Sequence, residues 1–178
     1  MTSGDNEHLL VLLAQNGDVA AFEQLLKGIY APTLKYVRGL MGADDAEDVL
    51  QETALRVYRQ LAWLREPRAF RAWVYRIATR IAFRQLKRQK RWRAAETEFG
   101  SSGEAVARIA EIDMEQEMSD LLPRVSPASR AALLLHYQQN LSLEETAAIL
   151  DIPVGTAKSR VAYGIAQLRQ FVKEKQTR

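Results

Sequence analysis

Apolar side chains recur along this chain at spacings of three and four, and no strand-length run alternates β-branched with polar residues. That pattern predicts helix nearly throughout. Leu9, Leu10, Leu12 and Leu13 fall within a helix over 7–15, ended by the Asn16-Gly17-Asp18 break. A second helix runs from about Val19 to Tyr30 with Phe22, Leu25, Leu26 and Ile29 as its buried stripe. Pro32 marks a kink or restart before a further segment to Leu40, and Gly42 closes it. Asp44 with Glu47 offers the next cap, for a helix from Ala43 to about Leu61 that buries Val49, Leu50, Ala54, Val57 and Leu61. A loop from Trp63 to Arg68 contains Glu66-Pro67. The long helix after it, Ala69 to about Arg91, turns Phe70, Trp73, Val74, Ile77 and Ile81 to the core, while Trp63, Tyr75, Phe83 and Trp92 lie outside that stripe.

The composition then changes. Between Ala94 and Asp120 eight acids stand against one base, with Gly100-Ser101-Ser102-Gly103 inside the span. Its first half reads as a flexible linker, and from about Asp113 as the first helix of a second domain. Ser126-Pro127 starts a helix from Ala128 to Gln138. Ser142 with Glu145 has the form of a capping box. The helix it starts places Leu143, Ala147 and Leu150 on one face and breaks at Asp151 and Pro153. The next helix opens with Gly155, Thr156, Lys158, Ser159 and Arg160, short or hydrogen-bonding side chains suited to the floor of a DNA major groove. The expected fold is all-α: two small helical domains joined by a flexible acidic linker. Each is short of the size that secures a core, so packing against a partner adds stability.

Composition narrows the chemistry. The chain has 178 residues, 47% hydrophobic and 26% charged, an ordinary globular balance for one large domain or two small ones. It has no cysteine, which excludes disulfides and thiolate metal sites, and only His8 and His136 as histidines. His136 is expected at a helix surface or boundary. No metal, no cofactor and no small-molecule substrate are expected, and no enzyme, since no nucleophile–base pair, phosphate loop or metal cluster is present. The N-terminus carries no secretory pattern, and no apolar run approaches the roughly 18 residues that span a bilayer. A cytoplasmic location without membrane insertion is expected.

The net charge of +3 hides a segregation: 65–93 carries eleven bases against Glu66, for +10, and the rest of the chain sums to −7. Arg76, Arg80, Arg84, Lys87 or Arg88, and Arg91 recur at helical spacing, with almost no acid nearby in sequence to offset their repulsion. A basic face beside aromatic rings suits single-stranded nucleic acid. From Asp44 to Thr53 there are instead five acids and no base, a face suited to a basic protein partner.

The run D-A-E-D-V-L-Q-E-T, followed about twenty residues later by F-R-A-W-V-Y-R-I-A, resembles region 2 of bacterial sigma factors of the extracytoplasmic-function group. L-S-L-E-E-T-A-A-I-L-D-I-P-V-G-T-A-K-S-R resembles their region 4. The resemblance covers essentially the whole chain in the right order, dividing it into region 2 over 1–93, a linker over 94–113 and region 4 over 114–178. It implies that Asp45, Asp48, Gln51 and Glu52, with Arg56, dock on the clamp coiled coil of the polymerase largest subunit, and that the flap is a further core contact. It implies that the loop with Trp63, Arg65 and Arg68 reads the melted -10 strand, and that Arg76, Arg80, Arg84 and Arg88 neutralise its phosphates. It implies that Gly155, Thr156, Lys158, Ser159, Arg160 and Tyr163 meet the -35 element, and that an anti-sigma protein holds the chain inactive. The family often has Asn where this chain has Arg80, and further basic residues where it has Tyr163 and Ile165. Two readings stand beside it: a helix-turn-helix regulator that binds duplex DNA without polymerase core, and an RNA- or single-strand-binding module resting on 65–93 alone.

Overall fold

A computed structural model of the chain describes residues 3–98 and 121–176, and the side chains of 6–90 and 121–174. Every regular element in those residues is helical. Helix α1 spans Ser3–Gln15. Helix α2, Val19–Met41, starts where the Asp18 carboxylate accepts the Ala21 N–H at 3.0 Å. Pro32 does not restart it: one helix runs through. Proline in a helix interior costs about 3 kcal/mol. Ile29, Tyr36, Val37 and Leu40 are buried on either side of it, at about 1.5–3 kcal/mol each, which outweighs that cost. Gly42, at φ 96°, ends the helix with its N–H on the Arg38 carbonyl.

Helix α3, Ala46–Gln60, begins later than its sequence pattern suggests. Asp45 stands at the N-cap position without a side-chain capping bond, because its carboxylate accepts from Gln89 instead. Glu47 likewise serves Tyr30 and Arg38, both at 3.0 Å, rather than a cap. The Asp44–Glu47 cap expected from the sequence does not form, because the helix begins at Ala46 and distant donors engage Glu47. Single turns of 3-10 helix at Leu61–Trp63 and Pro67–Ala69 lead into α4, Phe70–Glu98, which continues past Ala94. The expected linker beyond Glu98 and the helix expected from Asp113 lie outside the described residues.

In the second half, Ser126 accepts from the Ser129 N–H and starts α5, Pro127–Leu133. The sequence reading carries this helix to Gln138 unchanged; its last turn, Leu134–Gln138, widens into π-helical geometry. Helix α6, Leu143–Leu150, has the expected capping box in both directions, at 3.1 Å and 2.8 Å. Asp151 ends α6 in the left-handed conformation (φ 56°), and α7 runs Val154–Gln176.

The two helical sets share their main core. Tyr36, Leu40, Phe70 and Ile81 of the first half cluster with Leu122, Leu134, Leu135 and Ile149 of the second. A smaller cluster around Val125, Ala132, Leu133 and Val161 belongs to the helix-turn-helix. Contact is close: a Cβ on Gly39 would sit 3.0 Å from Leu134. Tyr75, placed outside the apolar stripe in the sequence reading, is buried edge-on to Tyr36, and its hydroxyl donates to Gln139. It serves the junction, not the surface. Arg130 is also buried, donating to the Leu40 carbonyl across the junction at 2.7 Å and to the Pro123 and Val125 carbonyls.

Replacing Arg130 with Met keeps the length and apolar stem but leaves three carbonyls without that donor. It should cost on the order of 2–4 kcal/mol, seen as a lower midpoint in denaturant unfolding. Burial also holds the Tyr75 phenol protonated, up to about 12. The unfolded chain releases that proton from about pH 10, so this contribution is intact below pH 10 and lost as pH rises towards 12. Tyr75→Phe should flatten the alkaline fall in stability over that interval.

Candidate nucleic-acid and protein interfaces

Helix α3 presents the acidic surface because its apolar positions, Ala46, Val49, Leu50 and Val57, are turned into the core. Asp48 and Gln51 point outward and are exposed. Asp45 is turned towards α4 and Gln89. Glu52 is half-buried between two cations: both of its oxygens accept from Arg84 at 2.6 Å, and Arg56 lies at 2.9 Å. The Arg84 hydrogen bonds, with the charges of Arg84 and Arg56, hold the Glu52 carboxyl below its usual range. Beside this surface, Leu26, Ile29, Tyr30, Leu50, Ala54 and Val74 line a cleft of about 210 Å³ together with Glu47 and Gln51.

The basic face of α4 is present, yet its charges are compensated from far along the chain, a feature that local sequence spacing does not reveal. Arg71, at the start of α4, pairs with Glu7 at 2.7 Å. Arg76 donates to the Ala148 carbonyl at 2.6 Å, close to the C-terminal end of α6 where the helix dipole is negative. Arg80 lies 3.7 Å from the Asp151 carboxylate, and Arg84 is on Glu52. Arg88 is exposed, as are Arg65 and Arg68 in the preceding loop. Trp63 is 81% exposed on its 3-10 turn. Trp73 and Phe83 pack against the core, whereas the Trp92 side chain lies outside the described residues.

At the helix-turn-helix, Val161 and Gly164 seat α7 on α5, and Ala157 is buried. The opposite face then carries Gly155, Lys158 and Ser159, all exposed, with Thr156 and Arg160 half-buried at its edges. The Ser159 hydroxyl donates to the Gly155 carbonyl at 2.9 Å, which leaves its lone pairs as acceptors. Tyr163 points outward at 57% exposure, and Ile165 packs inward on the small cluster. His136 is half-buried with its Nδ1 2.7 Å from the Leu141 carbonyl. Among the described residues no group of three His, Cys, Asp or Glu gathers to hold a metal, and no helix is long and apolar enough to cross a membrane.

Known proteins bear on these surfaces. Residues 22–92 match the family model of Sigma-70 region 2, and residues 115–168 that of Sigma-70, region 4. The ECF RNA polymerase sigma-E factor of Escherichia coli K12 is 33% identical over 168 residues, covering 87% of this chain and 88% of that protein. The RNA polymerase sigma-H factor of Pseudomonas aeruginosa is 29% identical, covering 90% and 91%. The sigma factor RpoE of Bartonella quintana, solved in complex with the anti-sigma factor NepR, aligns with a TM-score of 0.72 at 26% identity over 87% of this chain and 98% of that one. CnrH, solved with the cytosolic domain of CnrY, has the same fold, with a TM-score of 0.73 at 24% identity over 95% and 98%.

The Glu52 site is open to direct test. Its carboxylate–guanidinium contacts persist at neutral pH and are lost as pH falls through its lowered pKa. Arg84→Ala should raise that pKa back towards the ordinary glutamate range, read by carboxyl NMR titration.

Proposed function

Because the chain belongs to the extracytoplasmic-function group of sigma-70 factors, proteins that direct transcription initiation without catalysing it, we propose a division of labour among its three charged surfaces. Residues 1–93 bind polymerase core and the -10 element, 94–113 link, and 114–178 bind the -35 element. Asp48 and Gln51, with Asp45, Glu52 and Arg56 around them, dock on the clamp coiled coil of the largest subunit, and the second domain reaches the flap. The geometry favours Asp48 and Gln51 as the first contacts, since Asp45 and Glu52 are already engaged within the chain. The exposed Trp63 ring stacks on a base of the unpaired strand, with Arg65 and Arg68 beside it. Stacking contributes about 1–3 kcal/mol per base, on the scale of the cost of unstacking.

Arg76, Arg80, Arg84 and Arg88 then take the strand's phosphates. For Arg76 and Arg80 this means exchanging the Ala148 carbonyl and the Asp151 carboxylate for phosphate, while Ile149 stays in the shared core. The exposed Arg80–Asp151 ion pair is worth about 0–1 kcal/mol, so its exchange is favourable against a polyanion. Gly155, Thr156, Lys158, Ser159 and Arg160 read the -35 major groove, and Tyr163, turned outward, adds an apolar edge for a thymine methyl. An anti-sigma protein covering these surfaces keeps the chain idle, a reading supported by the complex of the similar RpoE with the anti-sigma factor NepR. The site of action is the cytoplasm.

The observation that carries this reading is the presence, in order in one chain, of both sigma-70 regions. A duplex-binding regulator leaves the first of them without a role. Purified protein added to polymerase core should give discrete start sites in run-off transcription of genomic DNA; no specific transcript from any template would sink the proposal. Placing lysine at Asp48 and Gln51 should weaken core binding about a hundredfold, since like charges then face a basic partner. Circular dichroism should stay unchanged, and unaltered core affinity would remove α3 from the docking surface.

A further inference from the structure

The N-terminal helix α1 precedes the residues matched to region 2, which begin at residue 22, and none of the site residues lies on it. It nevertheless grips the Trp63 loop at both ends. At its C-terminal end the Gln15 side-chain amide donates one hydrogen to the Leu61 carbonyl at 2.9 Å and the other to the Leu64 carbonyl at 2.8 Å. Those carbonyls flank Trp63. Near its N-terminal end Glu7 pairs with Arg71, one residue into α4, where the loop ends. Between these two points Val11 is fully buried against the core, so the helix cannot slide.

The loop needs such a support. Leu61–Trp63 is one turn of 3-10 helix, closed by a Leu64 N–H to Leu61 carbonyl bond at 3.0 Å, and such short turns have poor hydrogen-bond geometry. Leu61 is buried and anchors one side, whereas the Trp63 ring is held out in solvent. An amide presents two hydrogens in one plane at a fixed angle, so one Gln side chain fixes the spacing of two carbonyls at once. Ordering the turn at folding removes that cost from the moment of binding.

We infer that α1 is a brace for the Trp63 loop and that Gln15 is its positioning residue, setting the ring in place before a nucleic-acid strand arrives. The inference rests on the reading of this loop as the strand-capture element. Gln15 touches no nucleic acid; it acts through the two carbonyls. Glu7 supports the far end, so breaking its ion pair loosens the loop less.

The test uses holoenzyme reconstituted from the full chain and polymerase core, with a single-stranded oligonucleotide carrying the nontemplate -10 segment of a promoter mapped by run-off. Gln15→Glu keeps the shape of the side chain and loses the donors. It should weaken oligonucleotide binding about tenfold, with core affinity and thermal midpoint close to wild type. Glu7→Gln should weaken it about twofold to threefold, and Leu9→Ala, on the exposed side of α1, should not change it. In a Trp63→Ala background Gln15→Glu should have almost no further effect, since the ring it positions is gone. Wild-type binding by Gln15→Glu, or the same tenfold loss in the Trp63→Ala background, overturns the brace. If Gln15→Glu lowers the thermal midpoint, Glu7→Gln and the Trp63→Ala background decide the matter by the same criteria. If Trp63→Ala alone leaves binding unchanged, the strand-capture reading of the loop falls, and the brace's function with it.

Discussion

One buried guanidinium sets the arrangement on which the other surfaces depend. Arg130 has lost nearly all contact with solvent, and burial alone disfavours its charged form. A guanidinium stays charged in proteins, so its hydrogens seek acceptors: Nη1 and Nη2 meet the carbonyls of Leu40, Pro123 and Val125, while the buried Nε meets none. Leu40 lies in the last turn of α2, where helix carbonyls lack partners of their own. The demand of the cation and the demand of the helix end are met by the same bond. That fixes α2 against α5, sets Leu134 over Gly39, and places α6 across the middle of α4.

The charged surfaces follow from this placement. Isolated in sequence, the arginines of α4 repel one another; in the fold, each of Arg71, Arg76, Arg80 and Arg84 meets an acceptor contributed by another helix or its end. None of these contacts is strong enough to hold the halves together, because they are largely exposed and such pairs contribute little. The apolar cluster that joins Tyr36 and Ile81 to Leu135 and Ile149 does that. The arginines therefore find acceptors within the chain, apart from the buried Arg76 Nε.

Much of the local structure was legible. The capping box of Ser142 and Glu145, the Asp18 start of α2, the Gly42 stop and the inward stripes of α3 and α4 all follow from short-range spacing. The acidic, basic and helix-turn-helix surfaces were legible too, as charge patterns on those helices. Expectations failed where a distant partner outcompeted a local one. The expected cap of Asp44 and Glu47 does not form: α3 starts after Asp45, and Glu47 serves Tyr30 and Arg38. Pro32 stays within α2 because burial on both sides exceeds its cost, and Tyr75 leaves the surface because Tyr36 and Gln139 receive it.

The sequence alone determined the helical class, the ends of most helices and the family, since each is encoded by residues within a few turns of one another. Only the tertiary structure decided which charges remain available, how the two helical sets share a core, and that Gln15 reaches carbonyls 46 and 49 residues away. The physical reason is one of range. Caps, stripes and motifs depend on neighbours in the chain, whereas satisfying a buried or half-buried polar group depends on whatever the fold brings within about 3 Å.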